Sequence, residues 1–212
     1  MAEILKVDPV NPESEKIARV AVLIREGKVI AIPTDTVYGL AADPLHSAAV
    51  ERIFAIKRRP PDAPVLVLVD SAEMAVSLAA NVPSSFQALA KRFWPGPLTI
   101  VVEASNEIPE IVTANTGRLG MRLPKAPIAR ALIQAVGGPV TATSANLSGE
   151  KECRSAAEVE ANLGEELPLI LDGGASGPGL PSTVVSLDGS GWRIIREGAV
   201  GRAELAAFFA GG

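Results

Sequence analysis

The chain has 212 residues, 48% hydrophobic and 21% charged, which is enough apolar material for a sizeable core and excludes a disordered segment. Its 20 basic and 24 acidic residues give a formal charge of −4, an argument against a protein that coats nucleic acid. One cysteine, Cys153, and one histidine, His46, exclude an intramolecular disulfide framework, a cysteine-rich zinc site and the usual histidine metal clusters.

The N-terminus, MAEILKVDP, lacks the basic and apolar regions of a secretory signal. No run approaches 18 apolar residues, so no membrane contact is expected and the expected location is cytoplasmic. Residues 4–7 read as a strand. Asn11 reads as the cap of a helix with Pro12 at its first position and Glu13 and Glu15 in its first turn. Ile17, Val20, Ala21 and Ile24 form its apolar stripe, and Gly27 ends it. An apolar strand at 29–33 completes the strand–helix–strand rhythm of an α/β sheet.

Residues 34–44 read as a loop of small and hydroxyl side chains, followed by a helix over 46–57 that stops before Pro60 and Pro61. The run VLVLV at 65–69 is continuous rather than alternating, which predicts a strand buried on both faces. Helices are predicted near 72–80, 84–93, 128–136, 155–163 and 203–210. Strands are predicted at 98–103, 119–123, 140–143, 168–172, 182–187 and 192–196. The segment GGASGPGLP, 173–181, with Gly173, Gly174, Gly177 and Gly179, reads as a loop able to reorganise over a site. The pattern predicts one α/β domain over 1–212, with a mixed, twisted sheet and flanking helices.

Polar side chains collect where strands run into loops: Thr34 to Thr36, Ser144 to Asn146, and Ser182 with Thr183. Ligands of open α/β sheets bind at such strand ends, and short hydroxyls with free backbone N–H groups suit an anion or zwitterion. The cluster Lys57-Arg58-Arg59 is expected to place Lys57 and Arg59 at the mouth of that crevice. Arg118 and Arg122 flank another strand and Arg196 ends one more, and arginine suits bidentate contact with phosphate or carboxylate. Each signal alone has an ordinary reading. A basic run commonly ends a helix in solvent, and TDT is common turn chemistry. SANLSG can cap a helix, His46 fits a helix start, and Cys153 fits a bystander thiol. No Walker loop, GxGxxG or GxSxG is present.

Together the segments resemble one family. Pro33-Thr34-Asp35-Thr36-Val37-Tyr38-Gly39-Leu40 resembles the PTxTVYGL signature of the YrdC-like threonylcarbamoyl-AMP synthases. In order follow Lys57-Arg58-Arg59-Pro60 for K-x-R-P, Trp94-Pro95-Gly96-Pro97-Leu98-Thr99 for WPGPLT and Arg122-Leu123-Pro124 for R-x-P. Next come Ser144-Ala145-Asn146-Leu147-Ser148-Gly149 for SAN-x-SG, Ser182-Thr183-Val184-Val185 for STV and Arg196-Glu197-Gly198 for R-x-G. The resemblance covers about 14–200 and is closest to the single-domain branch, since the chain ends at Gly212.

The resemblance implies a twisted α/β fold around a concave, positively charged cavity. It implies synthesis of L-threonylcarbamoyl-AMP from L-threonine, bicarbonate and ATP, with pyrophosphate released. The product would serve tRNA modification through a separate threonylcarbamoyl-transferase complex, with direct tRNA contact left open. Mg2+ would arrive with ATP, with no protein metal site. Lys57 and Arg59 would be the catalytic cations on the ATP phosphates, with Ser144, Asn146 and Arg196 also on the nucleotide side. Thr34, Thr36, Arg122 and Ser182 would hold threonine, Arg122 pairing its carboxylate. Ala63 stands where many relatives have Asn or Lys, and Val67 or Leu68 where some have His. The competing readings are an RNA-binding module for tRNA or rRNA, which lacks aromatics and basic excess here, and a carbamoyl-handling accessory domain, whose zinc cysteines are absent.

Overall fold

The computed structural model describes residues 1–177, 180–189 and 191–210. Pro178 and Gly179 of the glycine-rich segment therefore lie outside the described residues. In chain order the elements are β1 (Glu3–Lys6), α1 (Ser14–Arg25), β2 (Ile30–Ile32), β3 (Gly39–Ala41), α2 (Ser47–Lys57), β4 (Val67–Leu68), α3 (Ala72–Ser77) and β5 (Ala79–Asn81). Then come α4 (Ser85–Phe93), β6 (Leu98–Ala104), α5 (Glu110–Thr113), β7 (Arg118–Arg122), α6 (Pro127–Val136), β8 (Val140–Thr141) and β9 (Thr143–Ser144). The last are α7 (Ala156–Leu163), β10 (Leu169–Asp172), β11 (Thr183–Asp188), β12 (Gly191–Arg196) and α8 (Arg202–Ala210).

The expected α/β class with mixed pairing is borne out, and the strands divide between two sheets. One runs β1-β10-β2-β3-β9, and the other runs β12-β11-β6-β7-β4-β8 with β5 alongside β6. Both mix parallel and antiparallel pairs. The single strand expected at 140–143 is in fact the crossing point. Thr141 pairs with Val67 in the second sheet, Thr143 pairs with Leu40 in the first, and Ala142 lies between them.

Apolar clusters pack against both sheets and leave one face of the second to line a cavity. The α1 stripe Ile17, Val20, Ala21 and Ile24 is buried as its 3.6-residue spacing predicts, packed with Ile30, Ile32 and the Ile128–Ile133 face of α6. The start of α1 corrects the expectation: Glu13, not Asn11, is its N-cap. The Asp8 carboxylate accepts from Val10 N and Asn11 N, which draws Asn11 into a turn before the helix. His46 does cap α2, accepting from Ala49 N at 3.2 Å.

Helix α2 ends in a way that matters for the site. Arg58 adopts a left-handed conformation (φ 49°), and Arg59 N bonds back to Phe54 O at 2.9 Å. That reversal sends Lys57 inward, Arg58 outward and Arg59 toward the junction of the two sheets.

Candidate active site

A cavity of about 500 Å3 opens at that junction, within the size range of small-molecule sites. One wall comes from the 34–39 turn and Thr143 and Ser144. The other comes from Thr99 and Val101 on β6, Gly120 and Arg122 on β7, and the β11–β12 pair. Five arginines line it, Arg59, Arg118, Arg122, Arg193 and Arg196, against one acid among the described residues, Glu152. A chain of charge −4 thus concentrates positive charge in this cavity, which suits an anionic ligand.

Arg122 ends β7 and is only 2% exposed. Its Nη1 donates to Asp35 Oδ2 at 3.3 Å. Burial pulls its pKa down; Asp35 opposes this and Arg196 adds to it. A buried guanidinium so sparsely paired is electrostatically suited to a ligand carboxylate.

The hydroxyls around it are ordered by the backbone. Thr34 Oγ1 donates to Val37 O at 2.7 Å and accepts from Thr36 N and Val37 N. Its single proton is thereby used, so it does not go to Thr36 Oγ1, which lies 3.0 Å away. Thr36 Oγ1 keeps its acceptor lone pairs. Ser182 Oγ lies 2.9 Å from Thr99 Oγ1 and accepts from Arg196 Nη2 at 3.2 Å. Arg196 also donates to Ser182 O from Nη2 at 2.9 Å, which fixes its guanidinium beside that hydroxyl.

Arg59 is held by three acceptors: Nε to Ala63 O at 3.0 Å, Nη1 to Thr143 Oγ1 at 3.3 Å and Nη2 to Pro64 O at 2.7 Å. Burial pulls its pKa down. Ala63, lacking a polar side chain, contributes here through its carbonyl.

Seven of the nine residues singled out in the sequence line this cavity: Thr34, Thr36, Arg59, Arg122, Ser144, Ser182 and Arg196. Lys57 and Asn146 stand behind the wall. Lys57 is 1% exposed, not at the crevice mouth, because its ammonium donates to Ser144 O, Asn146 O (2.7 Å) and Asn146 Oδ1 (3.1 Å). Those bonds hold the turn that presents Ser144. Burial first, then the charge of Arg59, brings the Lys57 pKa down to about 8, with Glu152 and Cys153 opposing. Cys153 is buried, its Sγ accepting from Asn162 Nδ2.

Thr99, Thr143, Glu152, Ser186 and Arg193 also line the cavity and were not singled out as site residues. Thr99 sits inside the quoted WPGPLT run, so its signal was present. The glycine-rich segment is anchored beside the site: Tyr38 OH donates to Gly174 O at 2.7 Å, and Arg154 Nη2 to Gly177 O at 2.9 Å. Among the described residues no cluster of three or more His, Cys, Asp or Glu could hold a metal ion. No helix among them is long and apolar enough to cross a membrane.

The family model Sua5_yciO_yrdC, described as telomere recombination, matches residues 22–198. The chain belongs to the Sua5/YciO/YrdC family. It is 42% identical over 175 residues to the threonylcarbamoyl-AMP synthase of Pyrococcus abyssi, a match covering 82% of this chain and 52% of that protein. It is 36% identical over 201 residues to the threonylcarbamoyl-AMP synthase of Bacillus subtilis, covering 94% and 58%. The chain therefore spans just over half the length of these curated relatives. The crystal structure of P. abyssi Sua5 complexed with L-threonine superposes with a TM-score of 0.93 at 38% identity, over 97% of this chain and 60% of that one.

Proposed function

We propose that this Sua5/YciO/YrdC chain joins L-threonine, bicarbonate and ATP into L-threonylcarbamoyl-AMP and releases pyrophosphate. The observation that carries the reading is the placement of Arg122. It is a deeply buried cation with the hydroxyls of Thr36 and Ser182 on the same cavity, and the cations Arg59 and Arg196 line that cavity with it. One cavity thus offers a carboxylate anchor, partners for a small polar side chain and separate charge for phosphates. The names of the relatives support the same reaction.

In this reading Arg122 pairs the threonine carboxylate, and Thr36 and Ser182 meet its hydroxyl. Thr34 shapes the turn that carries Thr36. Arg59, Arg196 and Ser144 hold the phosphates. Lys57 and Asn146 act through the turn that they fix, which makes them positioning residues. The threonine amine bonds to the bicarbonate carbon as water leaves, giving a carbamate. A carbamate oxygen then bonds to the α-phosphorus, and the bond to the β-phosphate breaks with its electron pair leaving on pyrophosphate. No protein nucleophile is needed, so catalysis is positioning and charge stabilisation. Mg2+ carried on the triphosphate would offset part of its charge, and Arg59 and Arg196 would meet the rest. The product feeds tRNA modification by a separate threonylcarbamoyl-transferase complex in the cytoplasm, and this chain's own step requires no tRNA contact.

The test is mass spectrometry of the product together with pyrophosphate release. A threonylcarbamoyl-adenylate that forms only with all three substrates supports the reading. Pyrophosphate release indifferent to threonine, or none with all three, overturns it.

A further inference from the structure

Strands β11 and β12 pair antiparallel, with Leu187 opposite Trp192 and Val185 opposite Ile194. These four pack into the core. Ser186 faces Arg193, and both line the cavity. Strict alternation would then send Arg196 to the opposite side from Arg193. The register shifts between Val184 and Val185, so that Val184 faces Arg196 and Ile195 becomes an extra residue. The bulge brings Arg193, Ile195 and Arg196 all onto the cavity wall.

The arginines there differ in what they still have to give. Arg59 spends Nε and both terminal nitrogens on the protein. Arg196 is tied to Ser182, and Arg122 faces Asp35. Arg118 bonds to Ser186 Oγ at 2.9 Å and to Leu187 O. Arg193 makes no hydrogen bond or ion pair among the described residues. It stands exposed on an edge strand, with its whole guanidinium fork available.

Its position along the floor is also defined. Arg118 and Arg122 bound the same strand, four residues apart, which is about 13 Å in extended backbone. Arg118 bonds to Ser186, and Ser186 faces Arg193. Through Ser186 and Val101, Arg193 stands in the row of Gly120, two residues from Arg122 along the strands and three strands away across the sheet. Two residues and three strand spacings, about 7 Å by 14 Å, leave room between the two guanidinium groups for a ligand with a carboxylate at one end and phosphates at the other.

We propose that Arg193 binds the terminal phosphates of a polyphosphate on the β12 side of the cavity, and so holds the group that leaves. The assignment rests on the proposed adenylate synthesis for its biological ligand, but its binding chemistry is testable alone. The probe is inorganic tripolyphosphate, titrated by calorimetry into the folded chain, with AMP as the comparison.

Arg193→Ala is expected to weaken tripolyphosphate about 10- to 100-fold, the loss of a charge-assisted contact, and to leave AMP within about twofold. Arg193→Lys should recover part of the affinity. Arg92→Ala, which removes an exposed cation paired with Glu204 outside the cavity lining, should change neither. Equal tripolyphosphate affinity in wild type and Arg193→Ala overturns the assignment, as does an equal loss for AMP or no tripolyphosphate binding by the wild type. If tripolyphosphate binding depends on Arg193 while no adenylate forms from the three substrates, the synthase reading fails and the polyphosphate site stands.

Discussion

The buried Arg122 and the partly buried Asp35 form an ion pair through one contact, Nη1 to Oδ2 at 3.3 Å, while the atoms Arg122 Nε and Asp35 Oδ1 are buried without a hydrogen-bond partner. Removing the carboxylate would leave a buried guanidinium with no neutralising charge. Asp35→Asn should therefore cost about 3 kcal/mol of stability, and L-threonine should return part of it by supplying a carboxylate. Denaturation curves with and without threonine check this. A variant as stable as wild type would mean that Arg122 is compensated some other way.

Arg59 is held by two carbonyls and a hydroxyl, which a lysine cannot satisfy with the same planar fork. Arg59→Lys and Arg59→Ala should both lower pyrophosphate release at saturating threonine. Loss of one charge-assisted contact made mainly in the transition state costs about 2–4 kcal/mol, roughly 30- to 1000-fold in rate. Wild-type rates in both folded variants would make Arg59 an ordinary surface charge.

For Lys57 the pH dependence has a defined sign. Its folded pKa lies at about 8, below the usual lysine value of 10.5. Below about pH 8 both states are protonated and this group adds no slope. Between about 8 and 10.5 the unfolded chain binds more protons, so stability contributed by Lys57 rises with pH. The stability gap between wild type and Lys57→Met should therefore shift in favour of wild type from pH 7.5 to pH 10. Urea denaturation at several pH values measures it, and a gap independent of pH would contradict the burial of a charged ammonium.

Gly198 follows Arg196 closely, and a Cβ there would overlap Pro181 O and Ser182. Ser182 O is the acceptor that fixes Arg196, so pushing it aside disturbs two site residues at once. Gly198→Ala should destabilise by about 1–3 kcal/mol and lower turnover beyond what the stability loss explains. Gly137→Ala, with nothing within 4 Å of the added methyl, is the comparison for backbone strain alone.

Thr36 keeps acceptor lone pairs toward the cavity because the Thr34 proton goes to Val37 O instead. A site built to pair the threonine hydroxyl should reject valine, an isostere that leaves those groups unpaired. Adenylate formation at equal rates from valine and threonine would remove Thr36 and Ser182 from the substrate's side chain.

The sequence was most legible where a single period governs a whole element. The stripes of α1 and α6 and the apolar strands β6 and β10 lie close to where spacing puts them. It was least legible where pairing overrides local pattern. Gly39–Ala41 is too short to announce a strand inside a hydroxyl-rich loop, yet it joins β2 to β9. Most of the site's charges could be found because they lie in recognisable runs. The inward turn of Lys57 could not, since it depends on the left-handed Arg58 and on carbonyls nearly ninety positions away. Arg193 was hidden for a related reason: only the bulge puts it on the same face as Arg196.

That bulge has a second effect, on the outside of the molecule. β12 is the last strand of its sheet, and an uninterrupted last strand offers its free amides and carbonyls to any other extended chain. The extra residue at Ile195 breaks the even spacing of those groups, and the arginines at 193 and 196 add charge along the same strand. A second molecule trying to extend the sheet would meet mismatched backbone groups and like charges. The distortion that arms the cavity therefore also makes this edge a poor template for another strand.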